Sequence, residues 1–123
     1  MAKKILIIED EEILIDLLQK KLGNEGYEVA IARNGEEGLK VMKREKPDLI
    51  LLDILMPKKG GFEVMEDMAK DPEIKNIPII IVSNSGQPVE LERAKELGAK
   101  DCLVKTEFDP QEVIDKVISH IGK

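Results

Sequence analysis

Residues 47–57 read PDLILLDILMP. Four apolar residues, Leu49 to Leu52, run without polar alternation, stop on the carboxylate of Asp53, and apolar character resumes at Ile54. A short unbroken apolar run suits a parallel strand covered on both faces. An acid at its end is costly to bury alone, because desolvation disfavours the charged form. The fold must therefore either supply Asp53 with a partner or put it to use.

The same unit recurs along the chain. Strand-like runs are KILII (4–8), EVAIA (28–32), LILL (49–52), IIIV (79–82) and CLV (102–104). Helix-length amphipathic stretches separate them. The first carries Ile13, Leu14, Leu17, Leu18 and Leu22 as one expected apolar stripe; the last carries Val113, Ile114, Val117, Ile118 and Ile121 in the same rhythm. Gly26 and Gly98 follow periodic stretches, where a left-handed terminating residue is wanted. Asn34 ahead of Glu36 and Glu37 reads as a helix cap, and Asp109-Pro110-Gln111-Glu112 as a cap, a first-turn proline and a capping-box acid. Five β–α pairs predict an α/β fold: a doubly wound parallel sheet with right-handed crossovers and helices on both faces.

At 123 residues the chain has room for one domain, expected over 1–123. A net charge of −6 argues against unspecific binding to nucleic acid or anionic membrane. No apolar run approaches bilayer length, and the single cysteine, Cys102, excludes an internal disulfide and a cysteine metal cluster. A cytoplasmic protein is expected, with no membrane and no nucleic-acid partner.

Chemistry collects where the apolar runs stop. The first delivers Glu9 and Asp10, the third Asp53, the fourth Ser83 and the fifth Lys105. Open α/β sheets bind ligands beyond the carboxyl ends of their strands, so these side chains are expected in one small volume. Three carboxylates there repel one another, and Mg²⁺, which takes oxygen ligands and shares phosphate oxygens, resolves the conflict. Lys105 can pair with Asp53 at rest and with a phosphate oxygen later, while Ser83 offers a hydroxyl. Such surroundings stabilise a transferring phosphoryl group and make Asp53 a nucleophile that forms an acyl phosphate.

On these residues, together with Pro57 and Gly61 four and eight positions after Asp53, the chain resembles the receiver domain of two-component response regulators, the CheY-like, flavodoxin-like (βα)5 fold. The resemblance implies a five-stranded sheet in the order 2-1-3-4-5. It also implies a phosphoryl group accepted on Asp53 from a histidine kinase or histidine phosphotransfer protein. Glu9, Asp10 and Asp53 would hold Mg²⁺ with the backbone carbonyl of Leu55; Ser83 and Lys105 would bind phosphoryl oxygens, with Ser83 moving on activation. Output to a downstream target would leave through the fourth helix, fifth strand and fifth helix, the chain acting as a stand-alone receiver. Self-phosphorylation and autodephosphorylation are the only reactions implied, so the chain is not expected to be an enzyme. A phosphate shuttle or sink and a pseudo-receiver scaffold are the alternatives within the fold.

The departures bear on output. Cys102 stands where the family usually has an aromatic, Thr106 where it has a proline after the lysine, and Asn84 where it has a small residue. A trans Lys105–Thr106 bond is expected, because a cis bond before a non-proline residue costs about 2.5–4 kcal/mol. The activation change is expected in residues 83–88, with Gly86 freeing the loop and Pro88 starting the fourth helix. Leu55 and Ser85 are positions expected to tune hydrolysis.

Other candidates have plainer readings. Glu11 and Glu12 suit a helix N-terminus, His120 a helix end and Cys102 a small buried hydrophobe. Lys43 to Lys46 reads as a solvated helix end, while Phe62, Met56, Met65 and Met68 read as packing. An aspartyl-nucleophile phosphatase would need a second acid where Leu55 stands. A flavin site would need a phosphate loop where Glu9-Asp10-Glu11-Glu12 stands.

Overall fold

The computed structural model describes residues 2–83, 87–105 and 109–123. Strands β1 (Lys4–Ile8), β2 (Glu28–Ala32), β3 (Leu49–Leu52), β4 (Ile79–Ser83) and β5 (Asp101–Val104) alternate with helices α1 (Glu12–Asn24), α2 (Gly35–Glu45), α3 (Gly61–Ala69), α4 (Pro88–Glu96) and α5 (Pro110–Ile121). All strand pairings are parallel, and the sheet order is β2-β1-β3-β4-β5. This is the architecture and order expected.

The pleat explains the unbroken apolar runs. Leu6, Ile8, Ile50, Leu52, Ile79 and Ile81 face one core, closed by Val41 and Met42 of α2, Val64, Met65 and Met68 of α3, and Ala94 of α4. Ile5, Ile7, Leu49, Leu51, Ile80 and Val82 face the other, closed by Leu18 and Leu22 of α1 and by Val113, Ile114 and Val117 of α5. Each buried Ile, Leu or Val removes enough apolar surface from water to contribute about 1.5–3 kcal/mol. The edge strands β2 and β5 are only partly covered, as their mixed composition requires.

Several helix ends are set as read. Asn34 accepts from the Glu37 N–H and Asp109 from the Gln111 N–H, while Pro88 and Pro110 occupy first turns. Gly26 and Gly98 follow α1 and α4 with φ of 94° and 106°, a region that favours glycine.

One stripe is corrected. In α1 the buried residues are Ile15, Leu18 and Leu22, with Leu14 packed beside them, whereas Ile13 is 86% exposed and Leu17 is 37% exposed. The helix is rotated so that Ile15, which the spacing had passed over, points inward. Five apolar residues within six positions (13, 14, 15, 17, 18) exceed what one face of a helix can hold, so the choice falls to tertiary packing. No described helix is long and apolar enough to cross a membrane.

Candidate functional site

Ladder hydrogen bonds carry on past the strand ends and fix the functional backbone. The Asp53 N–H donates to the Ile8 carbonyl, and the Glu9 N–H to the Ala32 carbonyl, each at 3.0 Å. The Lys105 N–H donates to the Ser83 carbonyl at 2.7 Å. Each residue that ends an apolar run is thus held by a neighbouring strand, and together they meet at one edge of the sheet. The loop after Asp53 is pinned as well. The Gly61 N–H donates to the Ile54 carbonyl, and a Cβ on Gly61 would lie 2.4 Å from the Asp53 carbonyl oxygen. Only glycine permits that approach, which accounts for Gly61 eight residues after the acid.

Lys105 is the centre of the cluster. Its Nζ lies 2.7 Å from Glu9 Oε1, 3.1 Å from Asp53 Oδ2 and 3.4 Å from Glu11 Oε1. The side chains of Lys105, Glu9 and Asp53 are all nearly excluded from solvent. The other Glu9 oxygen, Oε2, accepts from the N–H groups of Asp10 and Glu11 at 3.1 Å each. Glu9 therefore has both oxygens engaged, one on an ammonium and one on backbone amides.

The electrostatics follow from this burial. Desolvation pushes the Glu9 carboxyl up to about 7, with the Asp53 charge adding to it, although the bond to Lys105 opposes the rise. Asp53 is also raised, by desolvation above all, against the pull of Lys105. For Lys105, burial opposes the charge, but the bond to Glu9 and the field of Asp53 outweigh it and hold the ammonium above the ordinary lysine range. One cation shared between two buried acids leaves both under-compensated.

Glu9, Asp10 and Asp53 each offer an oxygen within 4.8 Å of the others. Asp10 is exposed and forms no ion pair among the described residues. Three carboxylates against one ammonium, with one acid facing solvent, form a hard-oxygen donor set that fits a divalent cation. Leu55, two residues after Asp53, is 65% exposed. Ser83 is buried at the end of β4, where its carbonyl ties it to Lys105.

The expected residues are thus brought together. Glu11, read only as a helix-end charge, also reaches Lys105, a contact that needs the three-dimensional path of the β1–α1 loop to be seen. Glu12 pairs with Arg33 across the mouth of β2, a link between residues 21 positions apart in sequence. His120 and Lys116 both face Asp101, and Cys102 is half-buried against the first core; neither set touches the site. Asn84, Ser85, Gly86 and Thr106, and with them the expected trans bond and loop movement, lie outside the described residues.

Comparison with known proteins agrees with this geometry. The family model described as response regulator receiver domain matches residues 5–118. The alkaline phosphatase synthesis transcriptional regulatory protein PhoP of Bacillus subtilis is 40% identical over 117 residues, 95% of this chain and 48% of that protein. The chain therefore spans about half the length of that curated relative. The Mn²⁺-bound form of the response regulator Rcp1 is 28% identical, with a TM-score of 0.84 over 96% of this chain and 93% of that one. The phosphorylated cyanobacterial phytochrome response regulator RcpA is 30% identical, with a TM-score of 0.84 over 98% and 91%.

Proposed function

The chain belongs to the response regulator receiver family of two-component systems, and on that footing we propose that it is a phosphorylation-controlled binding module with Asp53 as the phosphoryl acceptor. The observation that carries this reading is the Asp53 carboxylate itself, buried at a strand end, held by Lys105 at 3.1 Å and flanked by two further acids. A purely structural acid would not need a cation shared with Glu9 and an exposed neighbour such as Asp10.

The chemistry then runs on this chain's own groups. The Asp53 oxygen not held by Lys105 attacks phosphorus of a phosphohistidine on a kinase or phosphotransfer protein. The P–N bond breaks, its electron pair returns to the imidazole, and an acyl phosphate forms. Lys105 passes from the Asp53 carboxylate to a phosphoryl oxygen, and Ser83 donates its hydroxyl to another. Asp10, Asp53 and the Leu55 carbonyl would hold Mg²⁺ directly. Glu9, with both oxygens engaged, would act through water. When bound, the cation supplies positive charge against the phosphoryl oxygens. The likeness to a metal-bound and to a phosphorylated response regulator supports both parts of the reading.

No separate substrate is turned over, because Leu55 stands where a phosphatase of this kind needs its acid. The chain works in the cytoplasm, and output leaves through α4, β5 and α5 toward a target protein. The net charge of −6 speaks against direct DNA contact by these residues. Mass spectrometry after incubation with acetyl phosphate and Mg²⁺ tests the central claim. One phosphoryl group is expected, and none on Asp53→Asn; equal labelling of that variant would overturn the assignment.

A further inference from the structure

Beside the acidic pocket, a cleft of about 370 Å³ opens between the loop after β3 and the start of α4. Leu55, Met56 and Phe62 supply apolar walls, and Lys58, Glu63 and Glu90 supply charge. None of these three charged residues has an ion-pair partner among the described residues. Glu90 goes further: its Oε2 is out of contact with solvent and takes no hydrogen bond among the described residues. The helix dipole accounts for an acid in the first turn of α4, but not for a carboxylate oxygen shielded and unpaired, since buried polar atoms are normally satisfied.

We propose that this cleft receives an arginine side chain of the protein that docks over Leu55. Arg93 lies over the Phe62 ring but is already paired with Glu66, so two acids against one lysine in the lining leave the cleft negative, which calls for a cation. Its apolar walls beside the carboxylates of Glu63 and Glu90 call for a weakly hydrated one that pairs in plane with a carboxylate, and guanidinium meets that description better than ammonium. Ile54 and Leu55, the two residues that follow Asp53, both line the cleft, and Leu55 is 65% exposed. A protein delivering a phosphoryl group to Asp53 must cover that rim, so the occupant is the phosphodonor; this identification rests on the acceptor role of Asp53.

The test is an amide NMR titration of the full chain with N-acetyl-arginine N-methylamide, run against the lysine analogue. Saturable shifts are expected at Leu55, Met56, Phe62, Glu63 and Glu90, stronger for the arginine compound. Glu90→Gln should weaken binding about tenfold, the scale of one charge-assisted hydrogen bond lost, and Glu63→Gln should weaken it as well. Shifts equal in both variants and the parent, or spread over the acidic surface without saturation, would overturn the proposal. Labelling of Asp53 by acetyl phosphate, followed in parallel, separates the two readings: it should be unchanged in Glu90→Gln. Its failure in the parent chain would remove the phosphodonor as occupant while the titration still decides the cleft.

Discussion

Lys105 Nζ sits between two buried carboxylates, 3.1 Å from Asp53 Oδ2 and 2.7 Å from Glu9 Oε1. Among the described residues one shared ammonium answers Asp53, and it leaves the pair of acids under-compensated. A site of this kind is held ready for further positive charge, and its stability depends on whether that charge is present.

Removing the ammonium exposes this dependence. Lys105→Met leaves Glu9 and Asp53 facing one another without a cation, and breaking a buried pair from one side costs about 3 kcal/mol or more. The loss should be largest at pH 8 without metal and smaller with Mg²⁺ or at pH 5, where the acids are neutralised. Urea unfolding under the four conditions checks it; a loss equal in all of them would show that Lys105 acts by packing alone.

A pH dependence follows from Glu9. Its folded value, about 7, lies above the ordinary 4.5, so the folded state binds the proton more tightly than the unfolded chain. The resulting stability is fully present below about pH 4.5 and is lost as pH rises through about 7. Metal-free protein should therefore become less resistant to urea between pH 5 and 8, and Glu9→Gln should flatten that slope. Mg²⁺ should raise the high-pH limb most. A slope unchanged by Glu9→Gln would place the titrating group elsewhere.

How much of this was legible from the sequence varies by element. β1, β3 and β4 were readable because both faces are covered, so Leu49 to Leu52 needs no alternation and its purity marks a central strand. Glu9, Asp10, Asp53, Ser83 and Lys105 were readable because a parallel sheet brings all its strand ends to one side. α1 was not, because Ile13, Leu14, Ile15, Leu17 and Leu18 offer more apolar positions than one face can bury, and only tertiary packing selects Ile15 for burial. Nor was Glu11, whose reach to Lys105 depends on the turn of a loop. The rotation of α1 has a direct test: Ile13→Lys should change stability by less than about 0.5 kcal/mol, whereas Ile15→Ala should cost about 2–5 kcal/mol. Comparable losses from the two, measured by thermal and urea unfolding, would restore the original stripe.

The joined ends of β4 and β5 offer the state of Asp53 a route out of the pocket. The Ser83 carbonyl accepts the Lys105 N–H at 2.7 Å, so the ends of β4 and β5 are joined at the two residues proposed to grip the phosphoryl group. If Ser83 closes on that group, its backbone moves, and the shared hydrogen bond carries the motion to the Lys105 amide. Cys102 lies three residues earlier on β5, in register with Ile81 and packed against the core under α4. It lacks the bulk with which an aromatic ring would report a change there. Beryllofluoride with Mg²⁺ mimics the acyl phosphate without turnover. Amide shifts on adding it should therefore be largest at Ser83, Lys105 and the start of α4, and small at Cys102. Ser83→Ala should reduce the Lys105 shift while leaving beryllofluoride bound, because Lys105 and the acids remain. A dominant change at Cys102, with Ser83 and Lys105 still, would mean that the signal passes through the middle of β5 and not through the joined strand ends.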